Sequence, residues 1–116
     1  MIDRPIIKPL GKYQFRLVED YRYKDILIPK GFITDGASVP RIFWSIYPPN
    51  KAEYLSAALV HDYLTDLAVK GLRSFSEVDK IFKGMLVELE VSKLDVFLLY
   101  TSVRLYHIVK YHSKGY

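Results

Sequence analysis

The chain has 116 residues, with 17 Lys+Arg against 13 Asp+Glu for a net charge of +4, half of its residues hydrophobic, and no cysteine. Such a chain reads as one soluble domain over 1–116 with apolar material for its own core, which excludes disordered and fibrous classes. Without cysteine there are no disulfides, thiolate zinc sites or Cys nucleophiles, so any catalytic or metal role falls to Asp, His, Ser and Arg. Ten Tyr, six Phe and one Trp make 15% of the residues aromatic. The start, Met1-Ile2-Asp3-Arg4-Pro5, breaks the apolar run of a secretory signal. The most apolar later stretch, 96–103, ends at Arg104, short of the roughly 18 to 20 residues of a membrane span. The expected compartment is the cytoplasm, with carriage inside a phage particle as another route.

In chain order, residues 12–33 carry strand patterning. Tyr13, Phe15 and Leu17 alternate with Gln14, Arg16 and Val18, followed by a turn at Glu19-Asp20, then Tyr21-Arg22-Tyr23-Lys24 and the β-branched Ile26-Leu27-Ile28. Pro29-Lys30-Gly31 is turn chemistry, and Phe32-Ile33 makes a further short strand. The expectation is an antiparallel hairpin or three-stranded sheet. Thr34-Asp35-Gly36-Ala37-Ser38-Val39-Pro40-Arg41 comes next. Pro48-Pro49 forms the joint to the second half of the chain.

Beyond Asn50 the period becomes helical. One helix is predicted over 51–70, stopped by Gly71. A second starts at Ser74, with Glu77 completing a capping box, and its apolar positions are Phe75, Val78, Phe82, Met85 and Leu89. A third runs from Ser92, with Asp95 in the same capping relation, to about His112. Its predicted apolar stripe is Leu94, Phe97, Leu98, Thr101, Leu105 and Ile108. Gly84 costs on the order of 1 kcal/mol inside a helix, which predicts close helix packing there. The fold class is therefore α+β, a small antiparallel sheet from the N-terminal half packed against three helices from the C-terminal half.

Three regions carry candidate chemistry. In the Thr34–Arg41 loop, Asp35 and Arg41 bring opposite charges together. The same residues also fit an Asx-turn at Asp35, a helix cap at Ser38 and a first-turn Pro40. On the first helix His61, Asp62, Thr65 and Asp66 share an arc about 140° wide behind Ala58, opposite Ala57, Leu59, Val60, Tyr63, Leu64 and Leu67. That arc fits a solvated face, and it fits equally a histidine and two carboxylates converging for general-base or metal chemistry. On the third helix Tyr100, Arg104 and Tyr111 share one side. Arg104 reads as an edge residue or as a cation reaching a carboxylate of the first helix.

Other signatures are absent: Gly-x-Gly-x-x-Gly, a Walker loop, Gly-x-Ser-x-Gly and His-Glu-x-x-His, so no organic cofactor is implied. A metal-dependent phosphohydrolase needs a histidine ligand upstream of its His-Asp pair, and His61 is the first histidine of the chain. His107 and His112 point about 140° apart and are poorly placed to share a metal. A divalent metal at Asp35, His61 and Asp62, with Asp79 as a further ligand, suits the oxygen and nitrogen donors, though the spacing does not demand it. The net charge divides as +3 over 1–50, −2 over 51–90 and +3 over 91–116. This spread argues against a nucleic-acid partner, which wants a denser basic stripe.

The string from Ile28 to Arg41, with Trp44, Ala57-Ala58-Leu59-Val60-His61-Asp62-Tyr63-Leu64, Asp79, Phe82, Tyr100 and Val103-Arg104, resembles the domain-of-unknown-function family thirteen-fifty-three. The resemblance covers about residues 13–106 and implies a phage, prophage or bacterial setting. It also implies shared polar positions at Asp35, Ser38, Arg41, His61, Asp62, Asp79 and Arg104. Thr65 departs from it where an aromatic is expected, and Tyr106-His107 where a small residue is.

The expected site sets the loop over the first helix. His61 is the base or ligand there, Asp62 or Asp35 orients it or binds a cation, and Arg41 or Arg104 neutralises an anion. Ser38, Arg104 and Trp44 contact the substrate, and the reaction is hydrolytic. The competing expectation is a non-enzymatic virion, tail-associated or host-target-binding module in which the same network is structural. Its partner would be a phage structural protein or a bacterial host protein, met through exposed tyrosines.

Overall fold

The computed structural model describes residues 2, 5–11, 14–34 and 55–111. Five short strands, β1 (Ile7–Pro9), β2 (Phe15–Leu17), β3 (Tyr21–Tyr23), β4 (Ile26–Ile28) and β5 (Ile33–Thr34), precede three helices, α1 (Leu55–Val69), α2 (Phe75–Glu88) and α3 (Lys93–Lys110). The fold is α+β, with small antiparallel sheets in the first half and helices in the second, as the hydrophobic patterning implies.

The strands form two ladders instead of a single sheet: a three-stranded sheet in the order β1-β2-β5 and a β3-β4 hairpin. In β2, β3 and β4 alternate side chains enter the core, including Leu17, Tyr21, Tyr23 and Ile28. Tyr21 and Tyr23 are therefore core residues, and Tyr13 lies outside the described residues. Lys24 turns the β3-β4 hairpin with a φ of 54°, and Gly31, at 92°, turns the chain into β5. Strand β1 carries little sequence signal because Pro9 interrupts it. That proline is tolerated because β1 pairs only with β2 and is an edge.

The helix ends follow their capping residues. Ser74 Oγ accepts from the Glu77 amide at 3.0 Å, and Ser92 Oγ accepts from the Asp95 amide at 3.2 Å. The capping box at Ser74 is only half made, because the Glu77 carboxylate accepts instead from Arg73 Nη1 at 2.6 Å. Gly71 closes α1 with a φ of 80°, and the Leu72 amide returns to Leu67 O at 2.9 Å.

Two expectations about the helices are corrected. Gly84 is exposed, and a Cβ there would meet nothing within 4 Å, so it marks no close packing. Helix α3 buries Val96, Leu99, Val103 and His107, while Leu94, Phe97 and Leu105 of the predicted stripe face outward. Apolar residues occupy more than one face of α3, so the helical period fits two stripes. The stripe that turns inward is the one whose histidine reaches Asp79. Helix α1 is buried almost all round, with His61 and Thr65 as well as Leu59, Val60 and Leu64 in the interior. Among the described residues no helix is long and apolar enough to cross a membrane.

Candidate functional site

One carboxylate organises the interior. Asp79 sits on the buried face of α2 between Val78 and Phe82, and three side chains from two other helices converge on it. His61 Nε2 on α1 lies 2.6 Å from Oδ1. His107 Nδ1 on α3 lies 2.9 Å from Oδ1 and 3.0 Å from Oδ2. Arg104 Nη1 donates to Oδ2 at 2.9 Å. His61 is 1% exposed, and Asp79 and His107 are 0% exposed. The two imidazoles stack with centroids 5.2 Å apart and planes at 17°, and Phe82 packs against the His61 ring at 4.6 Å.

Burial alone would raise the Asp79 carboxyl. The hydrogen bonds from His107 and His61, and their charge, outweigh it and hold the group down at about 2. An ionised carboxylate only accepts, so both histidines donate to it. His61 therefore carries its proton on Nε2 and presents a lone pair on Nδ1. Burial also lowers the His61 pKa, against the pull of Asp79, which keeps the ring neutral near pH 7. His107 carries its proton on Nδ1, which leaves Nε2 as a buried acceptor without a hydrogen-bond partner among the described residues. Phe75 and Tyr111 pack around that ring.

Beside this cluster, Asp62 on α1 is half-buried, and its Oδ2 accepts from Thr34 Oγ1 at the end of β5. Strand β5 reaches that position because Phe15 pairs with Thr34 and Arg16 with Ile33. The backbone at Thr34, the last described residue before α1, is thereby tied to the turn of α1 that carries His61.

Of the expected site residues, the structure brings His61 and Arg104 together on Asp79 and sets Asp62 on Thr34. Asp35, Ser38, Arg41 and Trp44 lie outside the described residues. Arg104 reaches a carboxylate of α2 and not one of α1. His107, set aside by the sequence together with His112, is a full member of the cluster. Asp79, expected as a further metal ligand and a shared polar position, is instead the centre of the cluster, and the signal for it and for His107 is a polar side chain on an apolar stripe. Asp79 lies four after Phe75 and three before Phe82, and His107 lies four after Val103.

His61, Asp79 and His107 also present two imidazole nitrogens and a carboxylate oxygen within 4.8 Å of one another, a donor set that suits a divalent metal. A metal there would need both nitrogens stripped of the protons that the carboxylate now accepts. The Arg104 guanidinium at Oδ2 adds a positive charge that opposes a dication. The arrangement is therefore that of a hydrogen-bonded carboxylate orienting two imidazoles.

The uncharacterized protein y4jT of Sinorhizobium fredii (strain NBRC 101917 / NGR234) is 38% identical over 58 residues, which are 45% of this chain. The chain thus covers 17% of that relative's length. No solved structure matches the chain. A family model described as protein of unknown function (DUF1353) matches residues 14–103, which takes in the strands from β2 onward, His61, Asp62 and Asp79 and stops one residue before Arg104, and the chain belongs to that family.

Proposed function

We propose that this chain is a hydrolase in which His61 is the general base and Asp79 its orienting carboxylate. The observation that carries the reading is the 2.6 Å contact between His61 Nε2 and an ionised, buried Asp79. That contact fixes the tautomer with Nδ1 unprotonated. A water oxygen attacks the substrate's electrophilic carbon or phosphorus as its proton passes to Nδ1. The imidazolium so formed is stabilised by Asp79 and returns the proton to the leaving group. Arg104 and His107 act as positioning residues that keep Asp79 ionised and fixed. The loop residues Asp35, Ser38, Arg41 and Trp44, with Asp62, are the proposed substrate or cation contacts. The proposed setting is the bacterial cytoplasm or a phage particle, in keeping with the family resemblance and the bacterial relative.

The full burial of His61, Asp79 and His107 favours a second reading. In it the network locks three helices together inside a non-enzymatic module that binds a phage structural protein or a bacterial host protein. Hydrolysis of p-nitrophenyl butyrate and bis(p-nitrophenyl) phosphate by the chain and by His61→Ala separates the two. The enzyme reading expects a loss of about 100-fold or more with the far-UV spectrum unchanged. An inert parent protein whose His61→Ala variant only melts earlier would leave the lock in its place.

A further inference from the structure

The outer face of α3 carries large apolar side chains that no described element covers. Leu94, Phe97, Leu105 and Val109 are 66%, 63%, 58% and 74% exposed. Leu105 and Val109 border a groove of about 550 Å³ on that side of the helix with Tyr106, Lys110, Thr101, the half-buried Leu98 and the buried Ser102, and Leu94 and Phe97 stand exposed outside it. Their order is symmetric along the chain. Leu94 mirrors Val109, Leu98 mirrors Leu105 and Thr101 mirrors Ser102, all about one point between residues 101 and 102. Leu94-Leu98-Ser102 and Thr101-Leu105-Val109 are two rows of fourth neighbours, the ridges that interdigitate when helices pack.

We propose that this face pairs with the same face of a second copy, with the two α3 helices antiparallel across a two-fold axis at Thr101 and Ser102. A two-fold contact must be self-complementary, and this row is: each leucine meets an apolar residue of the other copy at its own height. The small pair at the axis lets the helices approach closely. Antiparallel packing opposes the two helix dipoles and sets Asp95 of one copy near the height of Lys110 of the other. The four most exposed side chains, fully covered, would remove about 500 Å² per copy, about 1,000 Å² in the pair, the threshold of a biological interface. This pairing is independent of the hydrolase reading, since the face is opposite to His107 on α3.

The absence of native cysteine makes the arrangement directly testable by crosslinking. A Thr101→Cys variant of the full chain, oxidised in solution, forms a covalent dimer, because the two sulfurs lie beside the axis. Leu94→Cys alone does not, since antiparallel helices separate those positions by about 22 Å. Leu94→Cys with Val109→Cys does. In sedimentation over about 1–100 μM the chain dimerises. Leu94→Glu with Leu105→Glu is then a monomer of unchanged far-UV spectrum, while Val87→Glu, on an exposed apolar position of α2, still dimerises. A chain monomeric throughout that range, crosslinking at Leu94→Cys as strong as at Thr101→Cys, or a monomer that binds phosphatidylglycerol vesicles through this face would overturn the proposal.

Discussion

Helix α2 carries two carboxylates that each gather donors from other elements, and they differ in their access to water. Asp79, fully buried, holds His61, His107 and Arg104. Glu88, at the other end of the helix, accepts from Tyr23 Oη at 2.6 Å and faces Lys24 Nζ at 3.6 Å, with its side chain 43% exposed. The Tyr23 hydrogen bond lowers the Glu88 carboxyl, so both groups are ionised and both bridge elements distant in sequence. Water reaches Glu88 and its partner Lys24, whereas the two histidines on Asp79 are buried and Arg104 is only 17% exposed. A similar set of contacts therefore tethers strand to helix in one place and organises the interior in the other.

The largest consequence is expected from Asp79→Ala. It strands two buried imidazole N–H groups and leaves the Arg104 guanidinium without its carboxylate, and chemical unfolding should show a loss of about 3–5 kcal/mol. A loss no larger than that of a surface substitution would put Asp79 on the same footing as Glu88 and dissolve the contrast.

The acid side of the stability curve comes next. Folding holds His61 neutral while the unfolded chain takes up a proton near 6.5, so stability should start to fall as the pH drops below that value. Asp79 adds a second decline. Its carboxyl lies at about 2 when folded against 3.8 ordinarily, a difference of about 2 kcal/mol that is fully present above pH 3.8 and lost between 3.8 and 2. Urea midpoints measured from pH 7 down to pH 3 should be lower at the acid end, with one decline beginning below 6.5 and another below 3.8, and a flat profile would mean that neither group changes protonation on folding.

Glu88→Gln should have the smallest effect. It keeps an acceptor for Tyr23, loses only a screened attraction to Lys24, and should leave the melting temperature near that of the parent in 1 M salt as in dilute buffer. A marked salt-dependent drop would show that the hairpin tether carries more of the fold than its exposure implies.

Local chemistry made much of the fold legible. The serine caps at Ser74 and Ser92, the Gly71 stop and the alternation of Phe15 and Leu17 all act within a few residues, and they locate their elements. What depended on partners distant in the chain was not legible. The period of α3 fits two faces, and only the reach of His107 to Asp79 decides between them. The division of the strands into two ladders depends on β5 pairing with β2, a strand distant in the chain, and the edge strand β1 is hidden by its proline. At the site, His61 and Asp62 stand out as an adjacent polar pair on an apolar helix. Asp79 is legible as a candidate ligand but not as the centre of the cluster, and His107 is a lone polar residue within an apolar stripe whose meaning appears only when the stripes meet. Arg104 was legible as a cation seeking a carboxylate, but not which carboxylate.

The central claim is that Asp79 holds His61 as a neutral ring protonated on Nε2, with Nδ1 carrying the lone pair. Nitrogen-15 NMR of the imidazoles at pH 7, followed by titration, reads this directly. The expected result is a protonated Nε2 and an unprotonated Nδ1 for His61, with a pKa below 6.5. A His61 that is protonated on Nδ1 or charged at pH 7 would contradict the account.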